Sequence, residues 1–191
     1  MTFHALLGVL SAVIAGLAIV KVLKGILLMI HGRGGQIKVY WVHLVWVVGS
    51  IIGANVHFWS IVQQRNVIGD VNFYGVADIL WMPIVHYILA GLLFPSSAGD
   101  HSDENRPVDL QDFYYKNHAW IFGTMVVSSL TNAGMLRSII TLNFDDRLPV
   151  IVWALMLVTL AVTRNKRFHM AIAALVPLGS FLMILIRGST W

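Results

Sequence analysis

Two histidines in one apolar stretch have a spacing that could hold porphyrin cofactors. His43 and His57 are 14 residues apart, which is about 21 Å along a helix and within about 40° of one face. A helix with this geometry can ligate two stacked b-type haems, because each iron takes two imidazoles from facing helices. His86 and His118 are candidate partners for His43, and His4 is the candidate for His57. The same histidines could instead hold a pigment, or be core residues satisfied by hydrogen bonds.

A second set of polar residues is expected near the opposite end of the helices. Its members are Asn55, His57, Asp78, Asn132 and Arg137. Polar groups at membrane depth cost free energy and usually have a reason. One interpretation is a relay for a proton or a small solute, with Asp78 as the acceptor. The other, which we favour because the last two helices offer almost no polar groups to continue a path, is an Asp78–Arg137 pair and an Asn55–Asn132 hydrogen bond that fix helix packing.

Several kinds of chemistry are excluded by residue types that the sequence lacks. The 191 residues contain no cysteine, which excludes disulfides, thiol catalysis and thiolate metal sites. The sequence has no glycine-rich phosphate loop after a strand, no His-Glu-x-x-His pair and no basic, aromatic-interleaved stripe. We therefore assign no catalytic residue and no metal site, and we expect no nucleic-acid partner.

The bulk composition indicates which elements must position these residues. Hydrophobic residues make up 58% of the chain and charged residues 12%, against roughly a quarter charged in an ordinary soluble domain. A soluble protein of this size has too much surface to hide so many apolar side chains. The long apolar runs do not alternate with the period of two that barrel strands require. The composition therefore predicts an all-α integral membrane protein.

Six stretches are long enough, or nearly so, to cross a bilayer as helices, which takes about 20 apolar residues. The predicted helices cover residues 3–30, 39–62, 74–94, 110–141, 148–163 and 168–186, in a single domain. The one long connection is the acidic loop 95–109, and Asp109-Leu-Gln-Asp112 at its end predicts an N-cap for the fourth helix. Gly8, Ala12 and Gly16 form a small-residue ridge suited to packing on a helix of this chain or of another subunit.

Basic residues are distributed unequally between the two ends of these helices. The end with the loops after the first, third and fifth helices, here called side A, has nine of them, and the opposite side B has four. Because positive charge stays inside, we expect side A to be cytoplasmic and both termini to be on the non-cytoplasmic side. The acidic loop 95–109 lies on this basic side, and we expect it to fold back onto residues 164–167 or to meet a basic partner.

Three segments carry a resemblance to known proteins. They are Val39-Tyr-Trp-Val-His-Leu-Val-Trp46, Ile88-Leu-Ala-Gly-Leu-Leu-Phe-Pro95 and Asp109-Leu-Gln-Asp-Phe-Tyr-Tyr-Lys-Asn-His-Ala-Trp-Ile-Phe-Gly123. Residues 39–135 resemble a loose group of small, uncharacterised bacterial multi-pass inner-membrane proteins. In that group an apolar helix ends in Leu-Phe-Pro and is followed by an acidic loop and then by aromatic and basic residues. The resemblance implies a bacterial cytoplasmic (inner) membrane location, and it implies no activity and no site residues.

Three functions fit these patterns. The first is a non-enzymatic scaffold or accessory subunit that contacts the lipid bilayer and other membrane protein subunits, which the short loops and wide apolar faces favour. The second is electron transfer through b-type haem, or pigment binding, with ligands among His43, His57, His86 and His118. The third is transport of a proton or small solute through the polar set around Asp78.

Overall fold

The computed structural model describes residues 3–31, 37–64, 73–95, 108–131 and 144–188, and these residues are almost entirely helical. The helices are α1 (Phe3–His31), α2 (Trp41–Gln64), α3 (Phe73–Leu92), α4 (Leu110–Thr131), α5 (Phe144–Val162) and α6 (Lys166–Gly188). The predicted all-α class is confirmed for this part of the chain. Two short strands, β1 (Ile37–Lys38) and β2 (Val108–Asp109), pair in parallel and tie the segment after α1 to the start of α4.

The length and apolar composition of the helices support only part of the predicted six-span architecture. Within the described residues, one helix is long and apolar enough to cross a membrane, at Leu6–Ile30 of α1. Shorter apolar segments occur at Trp41–Asn55, Ile79–Leu92 and Ile151–Val162. The first turns of α4 and α6 contain charged residues, which shortens their apolar runs. Helix length and composition therefore identify one candidate crossing among the described residues.

Side-chain caps fix where two of the helices begin. Oδ1 of Asp109 accepts hydrogen bonds from the backbone amides of Gln111 (2.9 Å) and Asp112 (3.2 Å), which confirms the predicted N-cap of α4. Oδ1 of Asn165 accepts from the amides of Arg167 (3.0 Å) and Phe168 (3.4 Å) and starts α6 in the same way. These caps satisfy amide groups that have no partner inside the helix.

The fifth helix begins earlier than the sequence predicts. α5 starts at Phe144, four residues before the expected start at 148. The helix is thus longer than predicted by about one turn at its N-terminal end.

Contacts between α2 and α3 show that these two helices run in opposite directions. His43 near the start of α2 contacts Phe94 just after α3, with ring centroids 6.1 Å apart. Ten residues along α2, a Cβ on Gly53 would be 3.4 Å from Nε2 of His86, which is earlier in α3. α2 and α3 are therefore antiparallel, and their contact at His43 lies on side A.

The pair α1 and α3 runs in the same direction and packs closely on side A. A Cβ added to Gly25 would overlap the ring of Phe94, and a Cβ on Gly91 would be 2.7 Å from Nζ of Lys21. The Lys21 ammonium also lies 4.4 Å from the ring centroid of Tyr87. Glycine is needed at 25 because the Phe94 ring directly covers its backbone, whereas at 91 the flexible end of the Lys21 side chain can move aside.

Candidate functional site

Six aromatic side chains meet on side A, where α2, α4 and α6 begin. We call this set the His–Tyr cluster; its members are Tyr40, His43, Tyr114, Tyr115, His118 and His169. Five of them are buried, and Tyr115 is half-buried. α2 supplies His43 from its first turn, with Tyr40 just ahead of it. α4 supplies three members from its first three turns, and α6 supplies one from its first turn. The cluster therefore joins three helix starts that are far apart in sequence.

A directional hydrogen-bond chain crosses the cluster from α4 to the α5–α6 turn. The hydroxyl of Tyr114 is 2.7 Å from Nδ1 of His169, and Nε2 of His169 is 2.9 Å from the carbonyl oxygen of Thr163. A carbonyl oxygen only accepts, so Nε2 carries the proton and donates it. In the neutral imidazole, Nδ1 then accepts, and the Tyr114 hydroxyl is the donor. The geometry fixes one tautomer of a fully buried histidine.

Two imidazoles lie side by side in the cluster. The rings of His118 and His169 have centroids 5.8 Å apart at an interplanar angle of 76°. Nδ1 of His118 donates to the carbonyl oxygen of Tyr115, one turn earlier on the same helix, at 2.7 Å. This bond leaves the lone pair of neutral His118 on Nε2. His118 is therefore a buried hydrogen-bond acceptor next to the Tyr114–His169 pair.

The tyrosines of the cluster are linked at its edge. The hydroxyls of Tyr40 and Tyr115 are 3.0 Å apart, and the Lys166 ammonium lies 5.9 Å from the Tyr115 ring centroid. These two hydroxyls therefore link the residue just ahead of α2 to the second turn of α4.

His43 differs from the other histidines in the bonds of its nitrogens. Its side chain is fully buried, and the rings of Phe94, Phe113 and Tyr114 stand nearly perpendicular to it at about 6 Å. Neither nitrogen has a hydrogen bond of good geometry among the described residues, although the backbone of Leu93 is close enough to interact with the ring. His43 is thus a buried polar side chain whose hydrogen-bonding capacity is mostly unused.

The haem ligands predicted from sequence are not brought together as a pair of imidazoles facing one iron. His118 contacts His169 rather than His43, and the rings packed around His43 leave no room for a porphyrin there. His86 lies deeper, where its Nδ1 donates to the Met82 carbonyl oxygen at 2.8 Å. The side chains of His57 and His4 lie outside the described residues. The described residues around His43 therefore do not fit haem.

A small cavity adjoins His86 between α1, α2 and α3. Its volume is about 10 Å³, and its lining includes Ser50 and three alanines, at positions 18, 54 and 90. That volume is about the room needed by a single water molecule. The cavity is therefore far too small for a flat organic cofactor.

Comparison with known proteins adds no relative. No protein family, no curated protein and no solved structure matches the chain. The resemblance of residues 39–135 to bacterial inner-membrane proteins therefore stays a prediction.

The predicted polar set on side B is mostly beyond the described residues. Asn55 is exposed, and its amide nitrogen donates to the carbonyl oxygen of Ile51 on its own helix at 2.8 Å. The side chain of Asp78, and the whole of Asn132 and Arg137, lie outside the described part of the chain. The ion pair and the relay both stay predictions. Across the described ranges, no three His, Cys, Asp or Glu side chains are grouped so that they could hold a metal ion.

Sequence reasoning missed His169, which is central to the cluster. The sequence does indicate that His169 and His118 lie at similar depth, because both fall near the side A ends of their predicted helices. Each is the only histidine of its helix, so a search for regularly spaced histidines within one helix does not select the pair His118 and His169. A comparison of residues at equal depth on different helices would have found it.

Proposed function

We propose that the chain is a multi-pass helical membrane protein that acts as a non-enzymatic scaffold or accessory subunit of a larger membrane complex. The observation that carries this proposal is the distribution of polar and apolar side chains. Large apolar side chains are exposed on every one of the six helices. The buried side chains include Ser11, Ser50 and three histidines. Exposed apolar surface of this extent is typical of contact with lipid or with other membrane proteins.

The outer face of α1 illustrates the pattern. Its residues are 44% to 54% exposed and are spaced along one side of the helix: Leu6, Val9, Leu10, Val13, Leu17 and Val20. The opposite side of α1 is buried against the other helices through Leu7, Ala15, Ala18 and Val22. An aliphatic outer face with a small-residue inner face suits a helix that has lipid on one side.

The lengths of the helices support six crossings. The helices have between 19 and 29 residues, which corresponds to about 28 to 44 Å at 1.5 Å per residue. A bilayer hydrocarbon core is about 30 Å thick. The alternating directions of the helices and the cations of side A are consistent with a cytoplasmic side A. A bacterial cytoplasmic membrane location, with both termini outside, belongs to this proposal.

The role as a subunit is supported by the ridge of Gly8, Ala12 and Gly16 on α1. A Cβ added to Gly8 or Gly16 would meet no atom within 4 Å, so no described part of this chain covers the ridge closely. Small residues let the backbone of a second helix approach. This open ridge favours a partner helix from another membrane protein.

Cysteine labelling tests the topology directly, because the natural chain has no cysteine. We expect Asn143→Cys to react with an impermeant maleimide in intact cells, and Arg164→Cys to react only after permeabilisation. Labelling of both positions from one face would contradict six crossings. Arg164 is one of several cations on side A, so its loss leaves the charge asymmetry in place.

Association with a partner is tested by extraction in mild detergent and mass spectrometry. We expect a stoichiometric membrane-protein partner that Gly8→Leu/Gly16→Leu removes while the helical content stays unchanged. Gly123→Leu is the matched control, because a Cβ at 123 also meets nothing within 4 Å. A monodisperse monomer from both the natural chain and the control would contradict the proposal.

A Soret band in protein made with ample haem would replace it with electron transfer. Flux in proteoliposomes abolished by Asp78→Asn would replace it with transport.

A further inference from the structure

The turn between α5 and α6 presents a group of cations to the outside. Arg164, Lys166 and Arg167, here called the basic turn, are all exposed, as is the intervening Asn165. Within the described ranges, none of the three cations has a carboxylate partner. Three like charges within four residues repel one another, and the cluster is neutralised only by an anion from elsewhere.

The stability of α6 does not explain these cations. Lys166 and Arg167 lie in the first turn of the helix, where the helix dipole disfavours positive charge. The backbone amides there are already capped by Asn165. Lys166 reaches towards α4, with its ammonium 5.9 Å from the centroid of the Tyr115 ring. The basic turn is therefore positioned against α4 at an electrostatic cost to α6.

Exposed apolar residues lie on both sides of the basic turn along the chain. Val162, two residues before Arg164, is 78% exposed, and Met170, three residues after Arg167, is 41% exposed. In a chain that crosses a bilayer, a basic segment between two such surfaces lies at the level of the lipid headgroups. This placement rests on the proposed membrane location.

We propose that the basic turn binds the phosphate of an anionic phospholipid headgroup on side A. Arginine and lysine are suited to this ligand, because guanidinium groups bind phosphate oxygens in pairs and an ammonium adds a point charge. Each Lys or Arg near an anionic membrane surface strengthens binding roughly fivefold. The acidic loop 95–109 offers the same turn carboxylates instead, so the experiment includes it.

The test measures binding of phosphatidylglycerol and phosphatidylcholine to the purified full chain in detergent, by native mass spectrometry at low salt. We expect the natural chain to prefer phosphatidylglycerol. We expect Arg164→Gln/Arg167→Gln to weaken the binding of that lipid on the order of thirtyfold and to leave the binding of phosphatidylcholine unchanged. The charge-matched control is Lys24→Gln/Lys38→Gln, which removes two exposed cations elsewhere. We expect the control to change binding by less than about threefold, since only the general surface charge is altered.

Three results would overturn the proposal. Equal loss in both double variants would mean that net charge, not the basic turn, selects the lipid. Unchanged binding in Arg164→Gln/Arg167→Gln would mean that the lipid binds elsewhere. A preference for phosphatidylglycerol that is absent from the natural chain and gained only in Asp100→Asn/Asp103→Asn/Glu104→Gln would mean that the acidic loop, not a lipid, occupies the turn. Failure of the membrane proposal is detected separately, because alkaline carbonate would then release the chain from membranes whatever their charge.

Discussion

The hydroxyl of Tyr114 on α4 donates a 2.7 Å hydrogen bond to Nδ1 of His169 on α6. Both side chains are fully buried, and 55 residues separate them. His169 in turn donates to the carbonyl oxygen of Thr163, where the chain leaves α5. One imidazole thus joins three helices on side A, and its polar atoms have partners where water cannot replace them.

Removal of the Tyr114 hydroxyl should destabilise the protein. Tyr114→Phe keeps the ring and leaves Nδ1 of His169 buried without a donor, which costs about 1 to 3 kcal/mol. Reversible unfolding in detergent measures the loss. Tyr87→Phe is the control, because Tyr87 is 40% exposed and its ring still faces Lys21; we expect a change within about 0.5 kcal/mol.

A double-mutant cycle separates the Tyr114–His169 bond from general packing. The variants are Tyr114→Phe, His169→Leu and their combination. We expect a coupling free energy of about 0.5 to 3 kcal/mol, because the second substitution has no bond left to break. Additive effects would mean that each side chain contributes by packing alone.

Substitution of His43 should have the opposite effect on the stability of the protein. Since neither of its nitrogens has a hydrogen bond of good geometry within the described part of the chain, His43→Leu removes unsatisfied polar atoms and should be neutral or stabilising. His169→Leu in the same assay should cost more than about 1 kcal/mol. A loss above about 2 kcal/mol for His43→Leu would show that the His43 nitrogens have a hydrogen-bond partner after all.

The sequence was sufficient for the local features of side A. Asp109 is a short acidic side chain just ahead of a helix, so its N-cap follows from local chemistry. His43, Tyr114 and His118 fall near one end of the helices because residue depth follows from helix direction. These features depend on a few neighbouring residues and on the 1.5 Å rise of the helix.

The pairing of histidines was not predictable in the same way. Whether His118 meets His43 or His169 depends on how each helix is rotated about its axis. Rotation is read from an apolar stripe, and α1 and α4 have apolar residues on nearly every side. The inner face of such helices is selected by close fits, such as Phe94 on Gly25, that only the folded chain reveals.

Alanine in place of two glycines of α1 should change the free energy of unfolding in opposite directions. Gly25→Ala places a Cβ into the ring of Phe94 and should cost about 1 to 3 kcal/mol through overpacking. Gly8→Ala meets no neighbour among the described residues and should stabilise the helix by up to about 1 kcal/mol. Unfolding measurements on both variants decide the matter. A gain in stability for Gly25→Ala would mean that α1 and α3 are not in this close contact, and Phe94→Leu should partly rescue the loss.

Loss of the α4 cap should be local and moderate. Asp109→Ala removes the acceptor of two backbone amides and should cost about 1 kcal/mol. Hydrogen exchange should become faster at the amides of Gln111 and Asp112. Asp109→Asn retains a capping oxygen and should be close to neutral. Equal losses in the two variants would indicate that the charge of Asp109 matters more than its cap.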